Sequence, residues 1–477
     1  MIGREKEIKE LTERYESGRP EFVAVYGRRR VGKTYLVDET FKDRITFRHS
    51  GLSPVDERNH KNGLKGQLNH FYLSLQLQGM KKSKRPSSWL EAFFLLENHL
   101  QSIDDGSRQL IFLDELPWMD TPRSGFITAL EAFWNGWASH RDNLMLVVCG
   151  SATSWMTDKL INNYGGLYGR LTCRIKLSPF TLAECEQFFH SRGVALSRYD
   201  ILQSYMVFGG VPYYLGYLKR GMSLAQNIDN VFFAKNAELR NEFDRLFASI
   251  FSNPKQMKKI VRFLGSRRSG YTRKEIIKNT GLDDCVASTK LLKALETSDF
   301  ITSYVPFGEG RRDMHYKLTD PFCLFYMKFV DDNTAMDPDF WMHNVTSQKI
   351  SSWRGFAFEE VCFLHIQQIK KSLGILGVAS IQSAMIVKGN SKTAGMQIDM
   401  VINRKDNVVN LCEMKFVETE FEVKNNYDKK LRERIQWVVD KVSRTHIVQM
   451  TLVTTFGLKY GIHSGIFQQV VTMDDLF

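Results

Sequence analysis

The stretch Phe22-Val-Ala-Val-Tyr-Gly-Arg-Arg-Arg-Val-Gly-Lys-Thr34 begins as an apolar, strand-like run and breaks into a glycine-bounded loop that ends in Lys-Thr. Gly27, Gly32, Lys33 and Thr34 fit the pattern G-x-x-x-x-G-K-[ST] without a mismatch. Glycines at these positions let backbone N–H groups close around phosphates, and the following helix points the positive end of its dipole at them. The whole loop, Gly27, Arg28, Arg29, Arg30, Val31, Gly32, Lys33, Thr34 and the next residue Tyr35, is therefore expected to line a nucleotide. Lys33 is assigned to the β/γ-phosphates of ATP, and Thr34 to Mg²⁺. Val23, Val25 and Tyr26 supply the strand; Tyr35, Leu36 and Val37 open the helix.

A second signal lies downstream in Gln109-Leu-Ile-Phe-Leu-Asp-Glu115. Four consecutive apolar residues fit a strand buried on both faces of a parallel sheet, with two carboxylates at its C-terminal tip, where open α/β sheets bind ligands. Asp114 would hold Mg²⁺ through water, and Glu115 would polarise the attacking water; either alone is also compatible with a helix cap. A third strand, Leu144-Met-Leu-Val-Val-Cys-Gly-Ser151, ends in a small polar residue. Ser151 is a candidate contact to the γ-phosphate or the water, the alternative being a plain N-cap. Further on, Arg170 and Arg174 stand before and on a last strand. Arg170 is a candidate to cross a subunit interface in a homo-oligomer and neutralise transition-state charge, the alternative being a surface cation.

With 477 residues the chain is too long for one ordinary core, and 43% hydrophobic with 25% charged residues describes a folded soluble protein. No run approaches a membrane span, and charges occupy the N-terminus where a signal peptide needs an apolar segment, so no membrane role is expected and the placement is cytoplasmic. The seven cysteines are scattered without a C-x-x-C pair, which indicates neither a zinc site nor a disulfide framework. The net charge of +12 is unevenly spread: residues 251–330 hold 15 Lys/Arg against 8 Asp/Glu, a net of +7. That bias points toward a polyanionic partner.

The basic region has its own pattern. Tyr271 to Leu282 reads as a helix with Thr272 and Glu275 in capping-box spacing and Gly281 as its stop. A second helix carries Leu291, Leu292 and Leu295, and a hairpin follows from Phe300 to Leu318 around Gly308, Gly310, Arg311 and Arg312. Helix, turn, helix and basic hairpin make a winged helix, which either places Arg311 and Arg312 on DNA phosphates or packs intramolecularly. The segment Arg48 to Asn69 reads as polar and irregular, Asp331 to Pro338 as a linker, and Lys429 to Lys441 as a basic amphipathic helix.

In the last third, Met396-Gln-Ile-Asp-Met-Val-Ile402 and Val408-Val-Asn-Leu-Cys-Glu-Met-Lys-Phe416 are apolar strands joined by the turn-rich Asn403-Arg-Lys-Asp-Asn407. Strand alternation puts Glu413 and Lys415 on one face, and hairpin closure brings Asp399 beside them. Two carboxylates can bind a divalent cation while the lysine activates water for phosphodiester hydrolysis. A solvated charge cluster is the alternative.

Two resemblances follow. The set Gly27 to Thr34, Leu113-Asp-Glu115, Gly150-Ser151, Gly169-Arg170 and Phe208-Gly-Gly-Val-Pro212 resembles the prokaryotic AAA/STAND-like archaeal-type ATPases, relatives of origin-recognition ATPases, over the first half of the chain. The resemblance implies a helical lid whose G-x-P element lies near the base, which assigns Gly210 and Pro212 to the nucleotide. The Asp399, Glu413, Lys415 set resembles the PD-(D/E)xK restriction-endonuclease-like superfamily, and Gly355-Phe-Ala-Phe-Glu-Glu360 matches the family helix that adds an acidic residue. That resemblance implies metal ligands at Glu359, with Glu360 as fallback, and at Asp399 and Glu413. Asp399 follows Gln397-Ile398 rather than the proline of the motif name.

The expected architecture is α/β: a P-loop ATPase core over 1–180, a helical lid over 181–250, a winged helix over 251–330, a linker over 331–350 and a nuclease-like domain over 351–477. The function expected is an ATPase whose nucleotide state controls a C-terminal metal-dependent nuclease acting on nucleic acid, with DNA the preferred class. The competing expectation is a STAND-like switch whose tail binds without cutting.

Overall fold

The structure, a computed structural model, describes residues 1–53, 62–251, 253–331, 337–387 and 395–477. The chain divides into two compact units, Met1–Pro179 with Ala248–Ser252, and Phe180–Phe247 with Asn253–Phe477. Among the described residues no helix is long and apolar enough to cross a membrane.

Apolar residues on both faces of its strands organise the first unit. Strands β1 (Glu21–Tyr26), β2 (Ile45–Ser50), β3 (Gln109–Asp114), β4 (Leu144–Gly150) and β5 (Cys173–Lys176) form one sheet in the order β2-β3-β4-β1-β5, with every pairing parallel. Side chains alternate between two cores. Phe22, Ala24, Ile111, Leu113, Leu146 and Val148 enter one. Val23, Val25, Leu110, Phe112, Met145 and Val147 enter the other. Strands β3 and β4 are buried along their full length, as the uninterrupted apolar runs require.

One expectation is corrected here. The segment expected to be irregular from Arg48 to Asn69 is strand through Ser50 and helix from Leu64 to Leu77, while 54–61 lie outside the described residues. Ile45 to Phe47 reads as a strand from sequence, and its continuation is masked by alternation, with Phe47 and His49 inward and Arg48 and Ser50 outward. Burial, reinforced by His70, lowers the His49 pKa to about 3, so this histidine is a neutral core residue. In the helix Leu68, Phe71, Tyr72 and Leu75 recur at helical spacing and are buried.

The second unit begins with the helices Leu182–Ser191 and Arg198–Phe208. Gly209 and Gly210 follow at φ 66° each, and a Cβ on Gly210 would collide with the Phe180 carbonyl, so no other residue fits that bend. Pro212 starts the short helix Pro212–Leu215. Strand β6 (Tyr271–Thr272) leads into the helix Arg273–Thr280, whose Thr272/Glu275 capping box and left-handed Gly281 are both present. The helix Val286–Thr297 follows, then β7 (Ile301–Tyr304) and β8 (His315–Leu318), making an antiparallel sheet in the order β6-β8-β7.

Within the stretch expected to be a linker, residues 332–336 lie outside the described ones, and the helix Phe340–Asn344 carries a buried Trp341. Trp341 packs with Phe325, Phe329 and Trp353 at ring-centre distances of 5.2 to 5.7 Å. The long helix Gln348–Leu364 precedes β9 (Ser380–Val387), β10 (Met396–Arg404), β11 (Val408–Lys415), β12 (Ile447–Thr454) and β13 (Gln469–Val471). Their order is β13-β12-β11-β10-β9, antiparallel from β9 to β11 and parallel from β11 to β13. The helix Asn425–Val439 is the crossover that a parallel β11–β12 pair needs. It starts four residues earlier than expected, and Leu431 and Val438 bury its inner face.

Candidate functional site

The phosphate loop leaves β1 through Gly27, whose φ of 142° and contact with the Leu177 carbonyl leave no room for a Cβ. It ends at Gly32 in the left-handed region, from which the helix Lys33–Phe41 starts. Lys33 is buried, and its Nζ donates to the carbonyls of Gly27 at 3.1 Å and Arg28 at 2.9 Å. Burial lowers its pKa. An ammonium resting on two neutral carbonyls of its own loop is held in place without being neutralised.

Beside it, Thr34 Oγ1 donates to Asp114 Oδ2 at 2.9 Å. This hydroxyl and carboxylate come from different elements, and together they are the hard oxygen ligands that Mg²⁺ takes, so the residues present fit that ion. Burial, then the neighbouring Glu115, raise the pKa of Asp114. Glu115 itself adopts a left-handed backbone at φ 46°, a conformation that costs a non-glycine residue on the order of 1–3 kcal/mol. Its carboxylate accepts from Ser151 twice, from Oγ at 2.7 Å and from the backbone N–H at 3.2 Å. Thus Lys33, Thr34, Asp114, Glu115 and Ser151 converge at the C-terminal ends of β1, β3 and β4.

The other nucleotide-site expectations are placed as follows. Arg28 and Val31 are buried, Arg29 lies over the Trp118 ring, Arg30 takes a left-handed φ of 73°, and Tyr35 is exposed. Arg170 is exposed after Gly169. Gly210 and Pro212 belong to the second unit. Arg4 was not anticipated. It is buried and ties the loop to the chain after β5, donating to the carbonyls of Val31 at 3.4 Å and Ser178 at 2.8 Å. A charged residue ahead of a short helix carries no sequence mark of such a role.

The second candidate cluster sits on the mixed sheet. The β10–β11 register pairs Met400 with Cys412, and Asp399 Oδ2 accepts from the Met414 N–H at 3.0 Å. Glu413 is buried and fully engaged: Oε1 accepts from Lys415 Nζ at 2.5 Å and from the Tyr427 hydroxyl, and Oε2 from Arg434 at 2.6 Å. Glu413 and Asp399 raise the pKa of Lys415 against the effect of burial. Burial, then Glu413, push Asp399 up to about 6. Burial, then Asp399, push Glu359 up to about 8, with Lys317 and Arg268 pulling the other way. The fallback residue Glu360 is buried in an ion pair with Lys317 of β8.

The structure therefore brings Glu359, Asp399, Glu413 and Lys415 into one electrostatic neighbourhood. Among the described residues, however, no group of three or more His, Cys, Asp or Glu side chains is arranged to hold a metal ion. The two oxygens of Glu413 already have three donors. Tyr427, Arg434, Lys317 and Arg268 were not anticipated, because each lies far along the chain from the motif it touches.

Residues 1–218 match the family described as an ATPase domain predominantly from Archaea. Over this segment the chain is similar to that family. An uncharacterized protein of Methanocaldococcus jannaschii is 25% identical over 378 residues, which is 78% of each chain. Among solved structures, the Walker-type ATPase of Pyrococcus abyssi is 18% identical, with 69% of this chain and 96% of that one covered, at a TM-score of 0.47. The Aeropyrum pernix ORC2 protein is 14% identical, with coverages of 69% and 93% and a TM-score of 0.42.

Proposed function

We propose that the chain binds and hydrolyses ATP at the ATPase domain, and that nucleotide state there controls a C-terminal domain acting on nucleic acid, with DNA the preferred class. The observation that carries the first part is the Thr34–Asp114 contact, a hydroxyl and a carboxylate at 2.9 Å beside a buried lysine at the end of a phosphate loop. Lys33 exchanges the Gly27 and Arg28 carbonyls for phosphate oxygens. Thr34 and Asp114 hold Mg²⁺, which offsets phosphate charge when bound. Glu115, oriented by Ser151, positions the attacking water and accepts its proton. In Glu115→Gln, ATP binding is retained while turnover falls by about 10²-fold or more. Wild-type hydrolysis in that variant refutes the assignment.

For the C-terminal domain the proposed activity is metal-dependent phosphodiester hydrolysis. Its support is the juxtaposition of Glu359, Asp399, Glu413 and Lys415; the excess of cations between 251 and 330, read as a winged helix with Arg311 and Arg312 exposed, supports nucleic acid as substrate. A second function, binding without cutting, is favoured by the three donors on Glu413. Incubating single-stranded, double-stranded and branched DNA and RNA with Mg²⁺ or Mn²⁺, with and without ATP, separates the two. Cleavage lost in Asp399→Ala supports the nuclease, whereas substrates left intact under every condition but shifted by the chain in a gel support binding without cutting.

A further inference from the structure

Within the second unit, a cavity of about 620 Å³ lies between the segment 262–268, β8 with the residues after it, and the helix Gln348–Leu364. Its size falls in the ~300–1,000 Å³ range of small-molecule sites. The phosphate loop does not contribute to it, nor do Glu359, Asp399, Glu413 and Lys415 themselves, although Arg268 and Glu360 beside them do.

Three features of its wall specify the chemistry of an occupant. Leu264, Leu318 and Trp353 give it apolar and aromatic lining, and Phe356 also lines it with the Arg268 guanidinium over its ring. Five cations also line it, and two of these are consumed. Arg262 makes a forked pair with Asp331 at 2.8 to 3.0 Å, and Arg267 does the same with Glu275 at 2.9 and 3.0 Å. Arg268, Lys328 and Lys349 have no carboxylate in ion-pair contact among the described residues. The third feature is Glu360. It lines the cavity 5% exposed, Lys317 takes its Oε1, and its Oε2 is buried without a hydrogen-bond partner. An unmet buried acceptor is costly, and a donor from a ligand relieves that cost.

We propose that this cavity is a binding site for a nucleoside monophosphate. The base packs against the apolar lining of Leu264, Leu318 and Trp353, a sugar hydroxyl or exocyclic amine donates to Glu360 Oε2, and the phosphate dianion meets Arg268, held over Phe356, with Lys328 and Lys349. A ring, a donor and a dianion are needed together, which neither a bare anion nor an apolar ligand supplies. Arg268 also faces Glu359 and Asp399, so phosphate held here competes with those carboxylates for one guanidinium.

The test is calorimetric titration of the full chain with AMP, GMP, CMP and UMP, and with adenosine and inorganic phosphate as separate halves. At least one monophosphate is expected to bind at about 100 µM or tighter, with each half about tenfold weaker or more. Lys328→Glu combined with Lys349→Glu, both exposed at the rim, weakens binding by about tenfold or more with an unchanged melting midpoint. The same titration on Lys33→Ala retains the binding, which separates this cavity from the phosphate loop. Absence of binding by all four monophosphates overturns the proposal, as does affinity unchanged by the double reversal. Inorganic phosphate binding as tightly as the nucleotide overturns the nucleoside assignment.

Discussion

Lys33 is buried and Lys415 partly exposed; both lie beside carboxylates, yet their surroundings are opposite. Lys33 rests on the neutral carbonyls of Gly27 and Arg28, while Lys415 is paired with Glu413, which also holds Tyr427 and Arg434. A carbonyl yields to a phosphate oxygen because the exchange adds charge attraction, whereas separating the Lys415 pair strands the buried carboxylate of Glu413. The phosphate loop is thus ready to receive an anion as it stands. The Glu413 cluster has its charge already satisfied, and a cation entering there must displace Arg434 or Lys415.

The strongest way to break this contrast is Lys33→Ala. If the ammonium is held for phosphate, ATP binding and turnover fall by about 10²-fold or more while the fold is kept, because only two carbonyls lose a donor. A nucleotide titration beside a thermal melt reads both. Next is Glu413→Ala, which leaves Lys415 and Arg434 without their shared anion. We expect a loss of about 2–4 kcal/mol in unfolding free energy, toward the low side because both cations are partly exposed. A stability equal to wild type would mean that the cluster is not satisfied by internal pairing.

A pH series sharpens the comparison further. Glu359 is raised to about 8 in the folded chain, so its contribution is fully present below the ordinary carboxylate range and is lost as pH climbs toward 8. Stability is expected to decline over that window, and Glu359→Gln to remove part of the decline. A denaturant midpoint measured at pH 5 and pH 8 for both chains checks the sign. The smallest effect belongs to Arg311 and Arg312. They are exposed, but the same loop is anchored at Phe307, whose N–H donates to the Ala384 carbonyl of β9 at 3.1 Å and whose ring packs on the C-terminal core. Reversing both arginines should lower the salt slope of DNA binding by about 2 if they meet phosphates. An unchanged slope assigns the hairpin to packing.

Local pattern carried much of this protein. The phosphate loop, the apolar strands β3 and β4 with their terminal Asp114 and Ser151, the Thr272/Glu275 cap and the β10–β11 hairpin all follow from short-range rules that act within a few residues. Of the strand Ile45–Ser50 only Ile45 to Phe47 is legible in sequence, because Arg48 and Ser50 face outward and His49 is buried neutral, so composition misstates its second half. Which groups neutralise which was illegible for a different reason. The Ser151 bond to Glu115, the Arg434 bond to Glu413, and the Lys317 pair with Glu360 span 36, 21 and 43 residues, and no periodicity links such positions. Sequence alone determined the identity of the chemical groups and the elements that carry them, because those depend on local propensity and hydrophobic pattern. Only the tertiary structure decided which charges are spent and which remain available, because that depends on partners brought together by packing.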